Sequence, residues 1–446
     1  MLRFVAGRFK WAVDRFLPDA FVFTAILTLV TVLLGLTVAG QGPVQMMEYW
    51  YDGFWKFLTF TMQMVLVLLT GYCLAMAPAV QAGLGRIAAW PRTPAAAVTL
   101  VILVSGGAAF ISWGVGLVLG PLFAREVAKR QAVDYPILIA AAFCGAICAL
   151  PAGLTITAPV LVNTPGHFLE AEIGLIPQTL TIFSAPMLIA ASAGVAAMVF
   201  IFRRMLPPPS EAIIVSRETL DAADEATVSP GADADASVAQ RLSDSRLLTA
   251  LVAGSGLIWA GIWFYRNGFD LNLDILNFSF LMLGIALHGS LRRYGEAFTQ
   301  GSRAASQIIL QYPFYAGIMG MMAGSGLISM IATGLAATAT TATFGLFTMF
   351  SAGLINIFVP SAGGQWVIQG PILVETARQL GVPPAVAVNA FTIGDLWTNM
   401  FQPFLALPAL GISGLGLRDI WGYCLVALIV FGLIGALVCL AMPLLV

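Results

Sequence analysis

The chain contains ISWGVGLVLGPLF at residues 111–123 and SAGGQWVIQGPIL at residues 361–373. The aligned pairs are Gly114 with Gly364, Gly120 with Gly370, and Pro121 with Pro371. Each stretch lies in an uncharged segment, 93–124 or 343–374, which is too long for one helical crossing of a membrane and short for two. Because a helix does not run easily through such glycine- and proline-containing centres, both segments predict re-entrant hairpins. Such a turn is tolerated within a membrane where it lines a cavity or is buried in protein.

The composition agrees with a membrane protein. Of the 446 residues, 59% are hydrophobic and 10% are charged, and the mean hydropathy is +0.91. A soluble globular protein has about 25% charged residues. The formal net charge of −1 gives no support to nucleic-acid binding. The five cysteines and two histidines lack metal-ligand spacing, so we expect neither a metal centre nor a cofactor.

Nine further apolar runs are long enough to cross a bilayer. They are residues 20–39, 57–80, 136–163, 178–202, 247–265, 275–291, 304–332, 384–412 and 420–446. With the N-terminus in the cytoplasm, 18 Lys and Arg residues lie inside and only Lys56, Arg266 and Arg378 lie outside. The positive-inside rule therefore predicts a multi-pass protein of the cell membrane with an external C-terminus.

The two halves predict an all-α fold built from an inverted repeat. Each half has four crossings and one hairpin, and the run 247–265 has no counterpart in the first half. One unpaired crossing turns the second half upside down, as in many secondary transporters. The predicted units are the first repeat at 1–206, a linker at 207–244, the inverting span at 245–269 and the second repeat at 270–446. The linker reads as a cytoplasmic tether, flexible or partly helical near 216–226.

Two crossings carry breaks of their own. Residues 136–163 contain Leu150-Pro151-Ala152-Gly153, followed by Thr155 and Thr157, and residues 384–412 contain Gly394-Asp395. Matched breaks expose unpaired backbone amides and carbonyls near the midplane, which can hold an anion and a cation. A proline kink that only fits neighbouring helices is the plainer interpretation of a single break.

Asp395 is the only acid within a predicted span. An intramembrane carboxylate is costly and is a functional candidate by default. We assign the coupling ion, H⁺ or a Na⁺ near Asp395, to Asp395, Gly394, Thr155 and Thr157. The alternative is a protonated, purely structural aspartate.

The hairpin tips and the second break supply the candidate substrate contacts. They are Ser112, Trp113, Gly114, Ser361, Gly363, Gly364, Gln365, Trp366, Thr398 and Asn399. Because no Lys or Arg lies in a span, the site favours a single negative charge, held by helix N-termini and hydroxyls. Asn163, Thr164 and Asn356 are weaker candidates. His167 is expected in an external loop and His288 at an inner span end.

Two other classes of protein compete with a transporter. A membrane enzyme would need a nucleophile with a base, or paired carboxylates, at one depth. A passive channel explains the spans but not the inverted halves with two hairpins.

Several strings resemble the short-chain fatty acid transporter family, the acetoacetate and butyrate permeases. They are RFLPDAFVFTAILTLVT, YDGFWKFLTFTMQM, ISWGVGLVLGPLFAREVAKR, PSAGGQWVIQGP and ALPALGISGLGLRDIWGYC, so the resemblance covers nearly the whole chain. It implies uptake of short monocarboxylates driven by H⁺ or Na⁺, a homodimer and an elevator movement. The chain departs from the family pattern with Ala362 and Gln365 in place of Gly and His, with Asp395 in place of Glu, and in the first broken span. Another carrier or antiporter of the same superfamily, for a different small organic anion or ion, is the alternative.

Overall fold

The computed structural model describes residues 20–56, 58–216, 220, 238–268, 271–357 and 361–445. All regular structure in these ranges is helical, which confirms the all-α prediction. Most of the predicted linker, including nearly all of 216–226, and Pro360 in the second tip lie outside the described residues.

The described part of the first half contains ten α-helices. They are α1 (Ala20–Thr37), α2 (Pro43–Phe54), α3 (Leu58–Met76), α4 (Pro78–Ile87), α5 (Pro94–Ile111), α6 (Trp113–Ala128), α7 (Tyr135–Ala149), α8 (Thr157–Leu161), α9 (Glu170–Ile173) and α10 (Ala185–Arg204). Short 3₁₀ turns occupy Leu150–Ala152 and Gln178–Leu180.

The second half follows the linker. Its helices are α11 (Val238–Ser243), α12 (Arg246–Asn267), α13 (Leu273–His288), α14 (Leu291–Gly324), α15 (Leu327–Thr338), α16 (Phe344–Asn356), α17 (Ala362–Leu380), α18 (Pro384–Asn399), α19 (Pro403–Ser413) and α20 (Leu417–Leu445).

Six helical stretches among the described residues are long and apolar enough to cross a membrane. They are Leu58–Met76, Pro94–Ile111, Tyr135–Leu161, Ala185–Arg204, Arg246–Asn267 and Leu417–Pro443. Shorter apolar helices cover Thr24–Thr37, Leu273–His288, Ile308–Gly324 and Phe344–Asn356. The chain is therefore a multi-pass membrane protein.

The core consists of two similar three-helix units. In the first, α5 and α6 pack against α7, whose residues are all buried. In the second, α16 packs against α18, and α17 contacts both. Flanking helices α10 and α20 contact each other and both units. By contrast α12, which covers the predicted inverting span, is largely exposed.

The predicted single span at 304–332 is wrong in its bounds. Helix α14 begins at Leu291, because Ser290 caps its start by accepting a hydrogen bond from the Arg293 amide. The helix ends at Gly324. After it, Gly326 takes a positive φ of 80°, which is easy only for glycine, and α15 starts at Leu327.

The second break also lies later than predicted. Helix α18 runs straight through Gly394 and Asp395 to Asn399, and α19 starts at Pro403. Gly394 instead permits close packing, since a Cβ atom there would collide with the Met349 carbonyl of α16. Proline is favoured in the first turn of a helix, where its missing N–H would have no intrahelical partner, and Pro403 is the first residue of α19.

Candidate functional site: two helix tips and two broken helices

The first tip is the junction of α5 and α6. Ser112 separates the two helices in an extended conformation, and the Trp113 amide donates to Thr155 Oγ1 at 3.0 Å. Nearby, the Leu154 amide donates to the Phe110 carbonyl at 2.7 Å. The first tip is therefore fastened to the break that follows α7.

The first break is a real interruption of the helix. After the 3₁₀ turn at Leu150–Ala152, Gly153 and Ile156 are extended, and α8 has only five residues. Thr155 and Thr157 are both buried there. The structure thus places Thr155, one of the two predicted threonines, beside the first tip.

Helix α3 packs directly on the first tip. A Cβ atom at Gly71 would lie 3.0 Å from Ser112 Oγ, and one at Gly114 would lie 3.3 Å from the Leu68 carbonyl. Ser112 is fully buried, and its hydroxyl has no hydrogen-bond partner among the described atoms. An unpaired buried hydroxyl is costly, which makes Ser112 a candidate ligand contact.

The second tip is the start of α17. Ser361 caps this helix by accepting from the Gly364 amide at 3.4 Å, and its hydroxyl lies 3.0 Å from the Tyr312 hydroxyl. The rings of Tyr312 and Tyr315, on α14, press against Gly363 and Gly364 so closely that a Cβ atom at either glycine would clash. Glycine is required here by close approach.

Asp395 lies fully within the protein, next to this tip. One carboxylate oxygen, Oδ2, accepts from Asn399 Nδ2 at 3.1 Å, and the other, Oδ1, has no partner among the described atoms. No ion pair to a basic side chain is found for it in the described ranges. A buried carboxylate with a free oxygen needs a proton or a cation.

Asn356 ties α16 to the end of α18. Its Nδ2 donates to the Asp395 carbonyl at 2.9 Å, to Thr398 Oγ1 at 2.9 Å and to Asn399 Oδ1 at 2.6 Å. Its carbonyl accepts from Gln402 Nε2 at 2.9 Å, across the second break. This network holds the predicted contacts Thr398 and Asn399, and Asn356 has a larger structural part than its sequence pattern indicated.

Gln365 extends the polar network from α17. Its Nε2 donates to the Ala352 carbonyl at 2.8 Å and to Gln369 Oε1 at 3.0 Å, and Gln369 Nε2 reaches Ser351 at 3.0 Å. The oxygens Asn356 Oδ1 and Gln365 Oε1, like Asp395 Oδ1, are buried without a partner among the described atoms. This part of the protein is rich in acceptors, the ligand type that hard cations prefer.

The two tryptophans differ in their surroundings. Trp366 is fully buried and packs against Phe391 with ring centroids 4.9 Å apart, whereas Trp113 is half-buried. Both indole N–H groups lack a partner among the described atoms.

The two halves of the chain contact each other at the two breaks. Helix α8, after the first break, packs against α17 and α18, and α19, after the second break, packs against α6. The helix after each break therefore packs against a helix of the opposite half that follows a tip.

An open cavity of about 820 Å³ lies beside the second tip. Its charged lining residues are Lys56, Asp52, Glu172 and Asp274, together with His167. Burial lowers the pKa of His167, which favours its neutral form at neutral pH. Phe60 lines the cavity and also contacts the tip, since a Cβ atom at Gly363 would lie 3.2 Å from Phe60 Cζ.

The weaker sequence candidates have structural partners. Asn163 Nδ2 donates to the Leu271 carbonyl, and Thr164 Oγ1 accepts from the Leu273 amide. His167 binds the Gly174 carbonyl, and His288 is buried at the C-terminus of α13 with Nδ1 at the Gly284 carbonyl. No cluster of three His, Cys, Asp or Glu side chains that could hold a metal occurs in the described residues.

Tyr312 is the main site residue that sequence reasoning missed. A signal existed: Gln311-Tyr312-Pro313-Phe314-Tyr315 places two hydroxyls and an amide in the middle of an apolar helix. Only the fold shows that this group lies against the second tip.

The model of the family described as "Short chain fatty acid transporter" matches residues 1–445. The chain belongs to this family. It is 40% identical over 423 residues to an Escherichia coli K12 protein named "Putative short-chain fatty acid transporter", covering 95% of this chain and 96% of that one. A protein of Haemophilus influenzae with the same name is 39% identical, covering 94% of each chain. The protein is therefore a transporter and not an enzyme.

Two solved structures share the fold. The YdaH transporter of Alcanivorax borkumensis aligns with a TM-score of 0.64 at 17% identity, covering 96% of this chain and 99% of that one. MtrF of Neisseria gonorrhoeae, described with a class of antimetabolite efflux pumps, aligns with a TM-score of 0.57 at 17% identity, covering 97% of each. At this identity the likeness concerns the architecture alone.

Proposed function

We propose that this short-chain fatty acid transporter family member is a secondary active carrier that takes up monocarboxylates such as butyrate and acetoacetate, coupled to H⁺ or Na⁺. The observation that carries the proposal is Asp395, a buried carboxylate with one unpartnered oxygen beside the second tip. The family relatives support the substrate class through their names.

The charge at the site favours a single carboxylate. No Lys or Arg side chain hydrogen-bonds to the described tip residues, and each helix N-terminus contributes about half an elementary charge. One bound cation offsets the charge of Asp395, and two helix N-termini then offset about one further negative charge, which favours a monocarboxylate over succinate or citrate. Each buried methylene adds about 0.8 kcal/mol, so discrimination among chain lengths should be shallow.

We infer that Asp395, with Gly394, Thr155 and Thr157, forms the coupling region, and that Ser112, Gly114, Ser361 and Gly363 bind the carboxylate head. Trp113, Gly364, Gln365, Trp366, Thr398 and Asn399 complete the substrate site. In this proposal the two hairpins and broken helices move together past α3 and α14 in an elevator motion. The carrier works as a homodimer in the cell membrane, with its N-terminus in the cytoplasm.

Uptake of labelled butyrate into proteoliposomes tests the function, with a proton or a sodium gradient imposed alone. We expect accumulation above the external concentration under one gradient, and competition by acetate, acetoacetate and hexanoate. Competition by succinate or citrate with none by monocarboxylates would favour another small organic anion as substrate. Equilibration without accumulation under either gradient would indicate a channel.

A substitution at Asp395 tests whether this residue binds the coupling ion. Asp395→Asn should abolish accumulation, because the amide neither takes up a proton nor contributes a charge to a cation site, while butyrate exchange can persist. Asp419→Asn, which changes an exposed acid whose Oδ2 accepts from the Gly416 amide, is the matched control and should retain uptake. Full gradient-driven accumulation by Asp395→Asn contradicts the assignment.

A further inference from the structure

We propose that the paired hydroxyls of Tyr312 and Ser361 form one hydrogen-bond donor that binds the carboxylate of the transported substrate. This inference rests on the proposed function and adds Tyr312, on the opposing helix α14, to the substrate site.

Tyr312 is buried against the start of α17. Its side chain is 5% exposed, and its hydroxyl oxygen would lie 2.5 Å from a Cβ atom at Gly363. The Gly364 amide, in the same turn, donates to Ser361 Oγ at 3.4 Å. Tyr312 therefore lies directly over the first turn of α17, a helix of 19 residues whose N-terminus favours an anion.

The hydrogen bonds made by the two hydroxyls leave one hydroxyl hydrogen without an acceptor among the described residues. Ser361 and Tyr312 carry two hydroxyl hydrogens, and the Ser361 hydroxyl donates its hydrogen to the Tyr312 oxygen at 3.0 Å. The other described bond to this pair comes from the Gly364 amide, which is itself a donor to Ser361 Oγ. One hydroxyl hydrogen is thus left without an acceptor among the described residues, inside the protein, where an unmade hydrogen bond is costly.

An open cavity lies close to this donor. Phe60 lines the 820 Å³ cavity, and its ring centroid is 5.7 Å from that of Tyr312 and 6.3 Å from that of Phe168. A single aromatic side chain therefore separates the hydroxyl pair from the cavity.

The charge of the neighbouring Asp395 couples binding of the substrate to binding of a proton or cation. Tyr312 lies close enough to Asp395 to interact with it electrostatically. A substrate carboxylate at Tyr312 and an ionised Asp395 repel each other, so a proton or cation at Asp395 raises the affinity for the substrate. By linkage, the bound substrate raises the affinity for the cation equally.

Tyr312→Phe tests the proposal, and Tyr315→Phe is a close control. Both tyrosines are buried on α14 and pack on the tip, but the Tyr315 hydroxyl donates to Gln311 Oε1 at 2.9 Å, within its own helix. In butyrate uptake by proteoliposomes, we expect Tyr312→Phe to raise KM roughly 10- to 100-fold, as for a hydrogen bond to a charged group. Tyr315→Phe should stay within about twofold of the wild type, since its bond to substrate is absent.

A second readout separates ligand binding from packing. Competition by butyramide, which lacks the negative charge, should be equally weak in the wild type and Tyr312→Phe, whereas competition by unlabelled butyrate should weaken in the variant. Ser361→Ala removes the bond that orients the Tyr312 hydroxyl but leaves its hydrogen, so it should raise KM less than Tyr312→Phe. Adding Ser361→Ala to Tyr312→Phe should raise KM little further, because Ser361 acts through Tyr312. If Tyr312→Phe does not insert, the smaller rise in KM for Ser361→Ala against Tyr315→Phe carries the comparison.

The outcomes are distinct for the two proposals. A wild type that takes up no monocarboxylate defeats the proposed function. A wild type that does, with Tyr312→Phe and Tyr315→Phe alike, or with butyrate and butyramide affected equally, overturns the role of Tyr312.

Discussion

The environment of one residue, Glu172, can be tested by measuring the stability of the protein at two pH values. It lies in α9 on the cavity wall, where desolvation and the negative charge of Glu375 raise its pKa above that of an ordinary glutamate. A carboxyl group with a raised folded-state pKa favours folding below its unfolded pKa of about 4.3, and this contribution is lost as the pH rises through the folded value.

Glu172→Gln should therefore be more thermostable than the wild type at pH 7, and this difference should vanish near pH 4. Thermal unfolding of the purified protein in detergent at both pH values measures this. Asp244→Asn is the control of opposite sign, because a hydrogen bond from Arg292 lowers the Asp244 pKa, and removing that carboxylate should destabilise the protein at pH 7. A Glu172→Gln difference that is independent of pH would contradict the assignment.

Some site residues could be predicted from the sequence and others could not. Ser112 and Ser361 were placed correctly at the junctions, because serine and glycine between apolar runs carry a strong local signal. Gly394 was misjudged as a break, since the atom it accommodates, the Met349 carbonyl, belongs to a helix 45 positions away in the chain. Tyr312 was missed for the same reason: its partner, Ser361, is 49 positions away.

At the scale of helices and connections, the linker is more than a tether where it is described. The Ile213 amide donates to Asp134 Oδ2 at 2.9 Å, and the Ile213 carbonyl accepts from the Tyr135 amide. Further on, the Leu220 carbonyl accepts from the buried Arg125 at 2.9 Å. The start of the linker is therefore docked on the ends of α6 and α7, a contact that composition alone does not reveal.

Asp134→Ala should destabilise the protein by about 2 kcal/mol, because Asp134 both caps α7, accepting from the Ile137 amide at 2.9 Å, and holds the linker. Thr93→Ala is the matched control, since Thr93 caps α5 through a single, exposed bond from Ala96, and its loss should cost about half as much. Thermal unfolding in detergent compares the two. Equal losses would mean that the linker contact contributes nothing.

Helix bounds were predictable where an apolar run and a cap coincide, and not elsewhere. Helix α12 runs from Arg246 to Asn267, close to the predicted 247–265, because Ser245 caps it at the edge of the apolar run. Helix α14 extends far beyond its apolar run because tertiary packing against α3 supports its polar first turns. Periodicity and hydropathy do not contain that information.

For the whole molecule, the predicted orientation can be tested by labelling. All five native cysteines are buried, so an introduced cysteine should react selectively with a membrane-impermeant thiol reagent. We expect Thr59→Cys, exposed in the cavity wall, to be labelled on intact cells, and Arg92→Cys, exposed before α5, to be labelled only after the cells are opened. The reverse pattern would invert the proposed topology.

The five-residue α8 has a consequence for how the ribosome and the membrane insertion machinery must make this protein. At 1.5 Å per residue α8 rises only about 7.5 Å, a quarter of the hydrocarbon thickness, so it cannot remain stable in lipid by itself. The helices that cover it, α17 and α18, are synthesised ~200 residues later. At 5–20 residues per second this is a delay of about 10–40 s, during which the nascent first half carries uncovered backbone polar groups. We therefore expect the first break to leave the chain most open to quality-control proteases during biogenesis rather than in the finished fold.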